Sequence, residues 1–98
     1  CKLLLYCNDY GLKDQMQRSI VSVPSNIAEG YERLSSKERI YFLNIAKGSC
    51  GEFRTQLYIA HELSYIGNED FEELLQKAKM LSVMINNFMQ YQKSLNKH

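Results

Sequence analysis

The stretch from Ser35 to Ile66 constrains this chain most. Its apolar residues Leu43, Ala46, Cys50, Phe53, Leu57 and Ala60 repeat in alternating steps of three and four, which puts them on one face of an α-helix. A second apolar row, Phe42, Ile45, Ile59, Leu63 and Ile66, lies one step around the same helix. A helix with two apolar rows packs on two neighbours, so a central bundle helix is expected over about 36–66. Ser35-Ser36-Lys37-Glu38 opens it as a capping box, in which the first hydroxyl accepts from the Glu38 N–H.

A chain of 98 residues holds one small domain, here spanning 1–98. A single proline and five glycines, amid many Leu, Ile, Lys, Glu and Gln, suit helices and not a sheet. The fold class expected is all-α, an antiparallel up-and-down bundle. Gly48-Ser49-Cys50-Gly51 is a costly choice inside a helix, because each glycine loses about 1 kcal/mol against alanine. The structural explanation is close packing of a neighbouring helix at Gly48, Ser49 and Gly51; the functional one is a backbone-lined ligand site.

Before the central helix, Leu12, Met16, Ile20, Val23, Ile27 and Leu34 mark a helix over about 12–33. Pro24 is expected to kink it, since proline cannot donate to the Ile20 carbonyl and crowds it. Ser22 and Ser25 stand ready to bond the freed backbone groups. Beside the apolar row runs a polar ladder of Ser19, Ser22, Asn26, Glu29 and Arg33, with Glu29 and Arg33 placed for a helical ion pair. Glu52 and Gln56 interrupt the second apolar row of the central helix, so Asn26, Glu29, Arg33, Glu52 and Gln56 are expected to meet as a polar cluster. Further upstream, residues 1–6 read as the end of an earlier helix and Cys7 to Gly11 as a loop. With that earlier helix largely missing, the row of Leu12, Met16 and Ile20 is expected to stay partly uncovered.

After the central helix, Gly67 suggests a left-handed stop and Asn68 a cap for a last helix over about 69–96. Glu69, Asp70, Glu72 and Glu73 crowd its first turn, where they complement the helix dipole. Phe71, Leu74, Ala78, Leu81, Ile85, Phe88 and Leu95 keep a heptad register, with Gln92 in a core position.

Chemistry is sparse in this sequence. Twelve basic and eleven acidic residues leave a net charge of +1, which provides no global field for nucleic acid or an anionic membrane. Cys1, Cys7 and Cys50 match neither a zinc site nor a disulfide framework, so free thiols in the cytoplasm are expected. His61 reads as a surface residue and His98 has no ligand partner, so no metal or other cofactor is assigned. No apolar run reaches the roughly 20 residues that span a bilayer, and no signal-peptide pattern precedes the first helix. One suggestive stripe remains on the central helix: Lys37, Asn44, Lys47, Arg54, Tyr58 and His61 combine cations with an aromatic ring. Nucleic-acid binders use such mixtures for phosphates and stacking, although an amphipathic helix also leaves such a face simply solvated.

Several motifs fall together in order. Asp9-Tyr-Gly-Leu-Lys-Asp-Gln15, Arg18, Ser22-Val-Pro-Ser-Asn-Ile-Ala-Glu-Gly30 and Glu32-Arg33 are followed by Phe42-Leu43, Ile45-Ala-Lys-Gly-Ser49, Glu52 and Gln56-Leu-Tyr-Ile-Ala60. This set, over about two-thirds of the chain, resembles the bacterial four-helix-bundle family of proteins encoded in intervening sequences of 23S ribosomal RNA. The resemblance implies a small antiparallel four-helix bundle without assigned catalysis, which in characterised relatives assembles as a homopentamer. A related branch, the accessory protein of diversity-generating retroelements, binds nucleic acid and a reverse transcriptase. Two functions are therefore weighed. One is a non-enzymatic oligomeric scaffold or interaction module, its partners further copies of itself, structured RNA or a nucleic-acid-processing protein. The other is a small-molecule or metal-dependent enzyme using Asn26, Glu29, Arg33 and Glu52.

Overall fold

A computed structural model describes residues 10–95 of the chain. The expectations for residues 1–6 and for the start of the Cys7 to Gly11 loop lie outside the described residues. Three α-helices follow one another: α1 (Tyr10–Tyr31), α2 (Ser36–Glu62) and α3 (Asn68–Leu95). They confirm the all-α class. Tyr10 and Gly11 already belong to α1, because helix propensity is a weak prior at a terminus and tertiary packing overrides it.

α2 packs along both α1 and α3, which touch each other little. Register follows from the pairs in contact. Gly30 faces Phe42 and Ser22 faces Ser49 across the first interface, while His61 faces Phe71 and Cys50 faces Ala78 across the second. In each case residue numbers rise on one helix as they fall on the other, so successive helices run antiparallel. Two core clusters result. Leu12, Met16, Leu57, Ala60, Ile66, Phe71 and Leu75 form one; Val23, Leu43, Ala46, Cys50, Ala78, Ile85 and Met89 form the other. Phe53 packs against both. Leu12 and Met16 are buried in the first cluster, contrary to the expected uncovered row, and Met16 is only 1% exposed. Ile20, 39% exposed, is the member of that row left open.

Local chemistry sets the helix ends. α1 continues through Pro24 to Tyr31. The Ser22 hydroxyl does not serve the freed backbone there; it turns across to Ser49 at 2.8 Å. α1 closes with the Glu32 N–H shared between the Ala28 and Glu29 carbonyls, and Arg39 Nε donates to the Arg33 carbonyl at 2.9 Å. That bond satisfies a carbonyl just beyond the helix end, a place where such groups lack intrahelical partners. Ser35 caps α2 as expected, its hydroxyl accepting from the Glu38 N–H at 3.1 Å.

The α2 exit differs from expectation. Ser64, with φ of 60°, takes the left-handed position, and no described glycine has positive φ. The Tyr65 N–H bonds the Ala60 carbonyl at 2.8 Å and the Ser64 N–H bonds the His61 carbonyl at 3.0 Å. This is a Schellman closure, which turns the chain so that Tyr65 packs back on the first core cluster. Gly67 instead starts the next helix, its carbonyl accepting from the Phe71 N–H at 3.0 Å. Asn68 is thus the first residue of α3 and not its cap.

The glycines of α2 also differ from expectation. Among the described residues a Cβ at Gly48 or Gly51 would meet nothing within 4 Å, so neither supports close packing there. Ser49 and Cys50 between them are the residues that turn inward and are buried. The tight glycine is Gly30, where a Cβ would stand 3.3 Å from Phe42 Cβ and 3.4 Å from the Arg39 carbonyl. Accordingly, Gly48→Ala and Gly51→Ala should each stabilise the chain by up to about 1 kcal/mol. Gly30→Ala should cost roughly 1 kcal/mol through overpacking. Urea denaturation of the three variants checks both signs.

Candidate functional site

α2 presents different chemistry on its two flanks. On the flank towards α3 lie the stripe residues. Lys47 is exposed and its Nζ donates to Asn86 Oδ1 at 3.3 Å. Arg54 is half-buried, and its Nε is enclosed without a hydrogen-bond partner. Tyr58 stays half-exposed with its ring edge-on to Phe71, centroids 5.4 Å apart. His61 is not a free surface residue: it stacks on Phe71 at 4.1 Å and its Nε2 lies 2.6 Å from Asn68 Oδ1. α3 therefore covers part of the stripe, because small Ala46 and Cys50 allow it to approach α2 on that side. Cys50 is a free, buried thiol that donates to the Ala78 carbonyl and accepts from the Ser82 hydroxyl, both at 3.2 Å. Lys37 is exposed at the start of α2, roughly 15 Å along the axis from Lys47 at 1.5 Å per residue.

On the flank towards α1 the polar ladder divides. Near the α1–α2 turn, Arg33 pairs with Glu29 at 2.9 Å, and its guanidinium lies 4.8 Å over the Phe42 ring. Two turns earlier, Asn26 Nδ2 donates to the Ser22 carbonyl at 2.8 Å and to the Ser22 hydroxyl at 3.0 Å. Glu52 and Gln56 do not join Glu29 and Arg33. They line a polar groove of about 650 Å³ with Arg18, Ser19, Ser22 and Ser49. The antiparallel register separates the two groups, since it sets Glu52 and Gln56 opposite the first half of α1. Gln15 and Arg18 also line this groove, and sequence reasoning missed them. Extending the ladder back from Ser22 and Ser19 in steps of three and four reaches both.

Between α1 and α3, over α2, lies a second groove of about 430 Å³ with nearly all-carbon walls. Ile20, Val23 and Ile27 form one wall, Leu74 and Leu81 the other, and Phe53 and Cys50 line it from α2. One turn beyond Ile27, Tyr31 meets Phe88 edge-on with centroids 6.1 Å apart. Among the described residues no group of three or more His, Cys, Asp or Glu is placed to hold a metal ion. No described helix is long and apolar enough to cross a membrane.

The 23S rRNA-intervening sequence protein family matches residues 2–87. The chain belongs to this family. Among solved structures, it is similar to a protein of unknown function from the S23 ribosomal protein family of Bacteroides thetaiotaomicron. The two share 24% identity over 81% of this chain and 70% of that one, with a TM-score of 0.79, a likeness of fold. No curated protein matches the chain. Within this family fold, the Ser22–Ser49 pair is the polar link between α1 and α2. Ser49→Ala should destabilise by about 1 kcal/mol, moderated because Ser22 keeps its bond from Asn26. Thermal denaturation beside Ser25→Ala, an exposed serine on the same helix as Ser22, provides the comparison.

Proposed function

We propose that this chain is a non-enzymatic interaction protein of the cytoplasm that assembles with copies of itself and engages structured RNA through the α3 flank of α2. The observation that carries the RNA reading is Arg54. Its guanidinium forms no ion pair among the described residues, and its Nε is enclosed without an acceptor. A phosphate oxygen is the partner that the half-buried, unpaired guanidinium lacks, and charge-assisted bonds of this kind are strong. Lys47 lies two turns away on the same flank, and Tyr58, one turn beyond Arg54, offers a half-exposed ring for a base.

Assembly accounts for how a chain of net charge +1 holds RNA. Several copies of a modest patch on one oligomer bind a long RNA far more tightly than a single copy. A ring gives each chain two neighbours through one repeated contact, and a ring of five is the form that the resemblance implies. Exposed Tyr41 and Tyr91 offer apolar area with a polar tip for such a contact. The apolar groove between α1 and α3 receives a fourth helix, which completes the bundle. Its volume of about 430 Å³ and its carbon-lined walls support that occupant.

Light scattering at micromolar concentration should give a mass several times that of one chain, and a mass of one chain would reject assembly. Binding to a 23S rRNA hairpin should weaken steeply with salt. Because Arg54 is half-buried, glutamine is the better replacement there. Lys47→Gln/Arg54→Gln should remove two phosphate contacts and reduce the log–log salt slope by roughly 1.4–1.8, at 0.7 to 0.9 per contact. Unchanged affinity in that variant would make a protein the better partner.

A further inference from the structure

The polar groove on the α1 flank of α2 holds a second, unrelated unsatisfied group. Gln56 is only 9% exposed, and its Oε1 is buried without a hydrogen-bond partner. The residue lines the groove of about 650 Å³. Its terminal amide torsion is broad and soft, so a donor in the groove that this side chain lines selects the rotamer that turns the oxygen towards it. Glu52 precedes Gln56 by one helical turn on the same face, where residues four apart are neighbours. Glu52 is exposed and makes no ion pair among the described residues.

Arg18, Ser22, Ser49 and Thr55 around them are already engaged. Arg18 is paired with Asp14 at 3.0 Å, so its charge is matched within α1. The Ser22 and Ser49 hydroxyls bond each other at 2.8 Å. What remains open is the Glu52 carboxylate beside the Gln56 amide oxygen, two acceptors that an anion cannot satisfy, with the exposed Gln15 and the buried Ser19 on the α1 wall of the groove. Ile59 borders the same groove and is 44% exposed, an apolar surface next to the acceptors.

We infer that this groove binds a guanidinium or primary ammonium group carried on an alkyl stem, with the cation between Glu52 and Gln56 and the stem along Ile59. The cation comes either from a small free alkylamine or from a lysine or arginine side chain of a second copy. A planar guanidinium suits the site well, because its fixed fork of N–H groups reaches a carboxylate and a neighbouring oxygen together.

Nuclear magnetic resonance of the side-chain amide of Gln56 tests this. In one arm the chain is titrated with agmatine, a guanidinium on a short alkyl stem; in the other, protein concentration is varied without it. A saturable Gln56 shift with agmatine assigns a free ligand, and a shift that follows protein concentration assigns a side chain of a second copy. Either shift should be lost in Glu52→Gln, an exposed replacement that keeps the fold, and kept in Glu62→Gln, an exposed acid elsewhere on α2. Gln56→Leu should lose saturable shifts at neighbouring backbone amides while retaining its helical circular dichroism. Absence of a shift in both arms, or a shift undiminished in Glu52→Gln, overturns the assignment.

Discussion

Burial of α2 on two sides is the constraint on which the rest of this structure depends. Ala46, Cys50, Leu57 and Ala60 are each 1% exposed or less, and Phe53 is shared between both core clusters. Small residues at Ala46, Cys50 and Ala60 let the flanking helices approach, while Leu57 is fully buried in the first cluster and Phe53 packs against both. Because α1 and α3 touch each other little, neither can hold the other in place without α2. The Ser35 cap and the Ser64 turn matter for the same reason: they fix where α2 begins and ends, and so fix the registers on both sides.

That arrangement leaves three different surfaces around one helix. The α1 flank is polar and contains Glu52 and Gln56; the α3 flank contains Lys47, Arg54 and Tyr58; and the space between α1 and α3 is lined with carbon. Each follows from the sequence of α2 through its angular position, since residues four apart stay together and residues two apart diverge. One helix can therefore carry separate contacts to separate partners without their competing.

Much of this was legible before the structure. The first apolar row identified α2 as central, Ser35 was legible as its cap, and Gln92 occupies the expected core position at 7% exposure; the second row was overread, since Ile45, Ile59 and Leu63 are exposed and only Ile66 is buried. The heptad row of α3 was right in register but not in burial. Phe71, Ala78 and Ile85 are buried, whereas Phe88, edge-on to Tyr31, and Leu95 stay partly open. Periodicity states which residues share a face; it does not state whether a partner covers that face. The same limit explains the stripe on α2. Lys47, Arg54, Tyr58 and His61 share a side as read, but only the docking of α3 decides that His61 stacks on Phe71 while Lys47 remains in solvent. The turn after α2 was misread because glycine is the usual left-handed residue. Here the chain needs that conformation at Ser64, where it returns Tyr65 to the core, and Gly67 is three residues too late. The polar ladder was read as one cluster because sequence order within α1 does not reveal which part of α2 lies opposite.

Native-state hydrogen exchange tests the central position of α2 most directly. Amides of Ala46, Cys50, Leu57 and Ala60 should exchange only through global unfolding, while those at both ends of α1 and in the last turns of α3 open by smaller local events. The order of protection should be α2 first, with α1 and α3 each less protected. If α1 or α3 holds its slowest amides while the middle of α2 exchanges by local opening, α2 is not the element on which the fold depends.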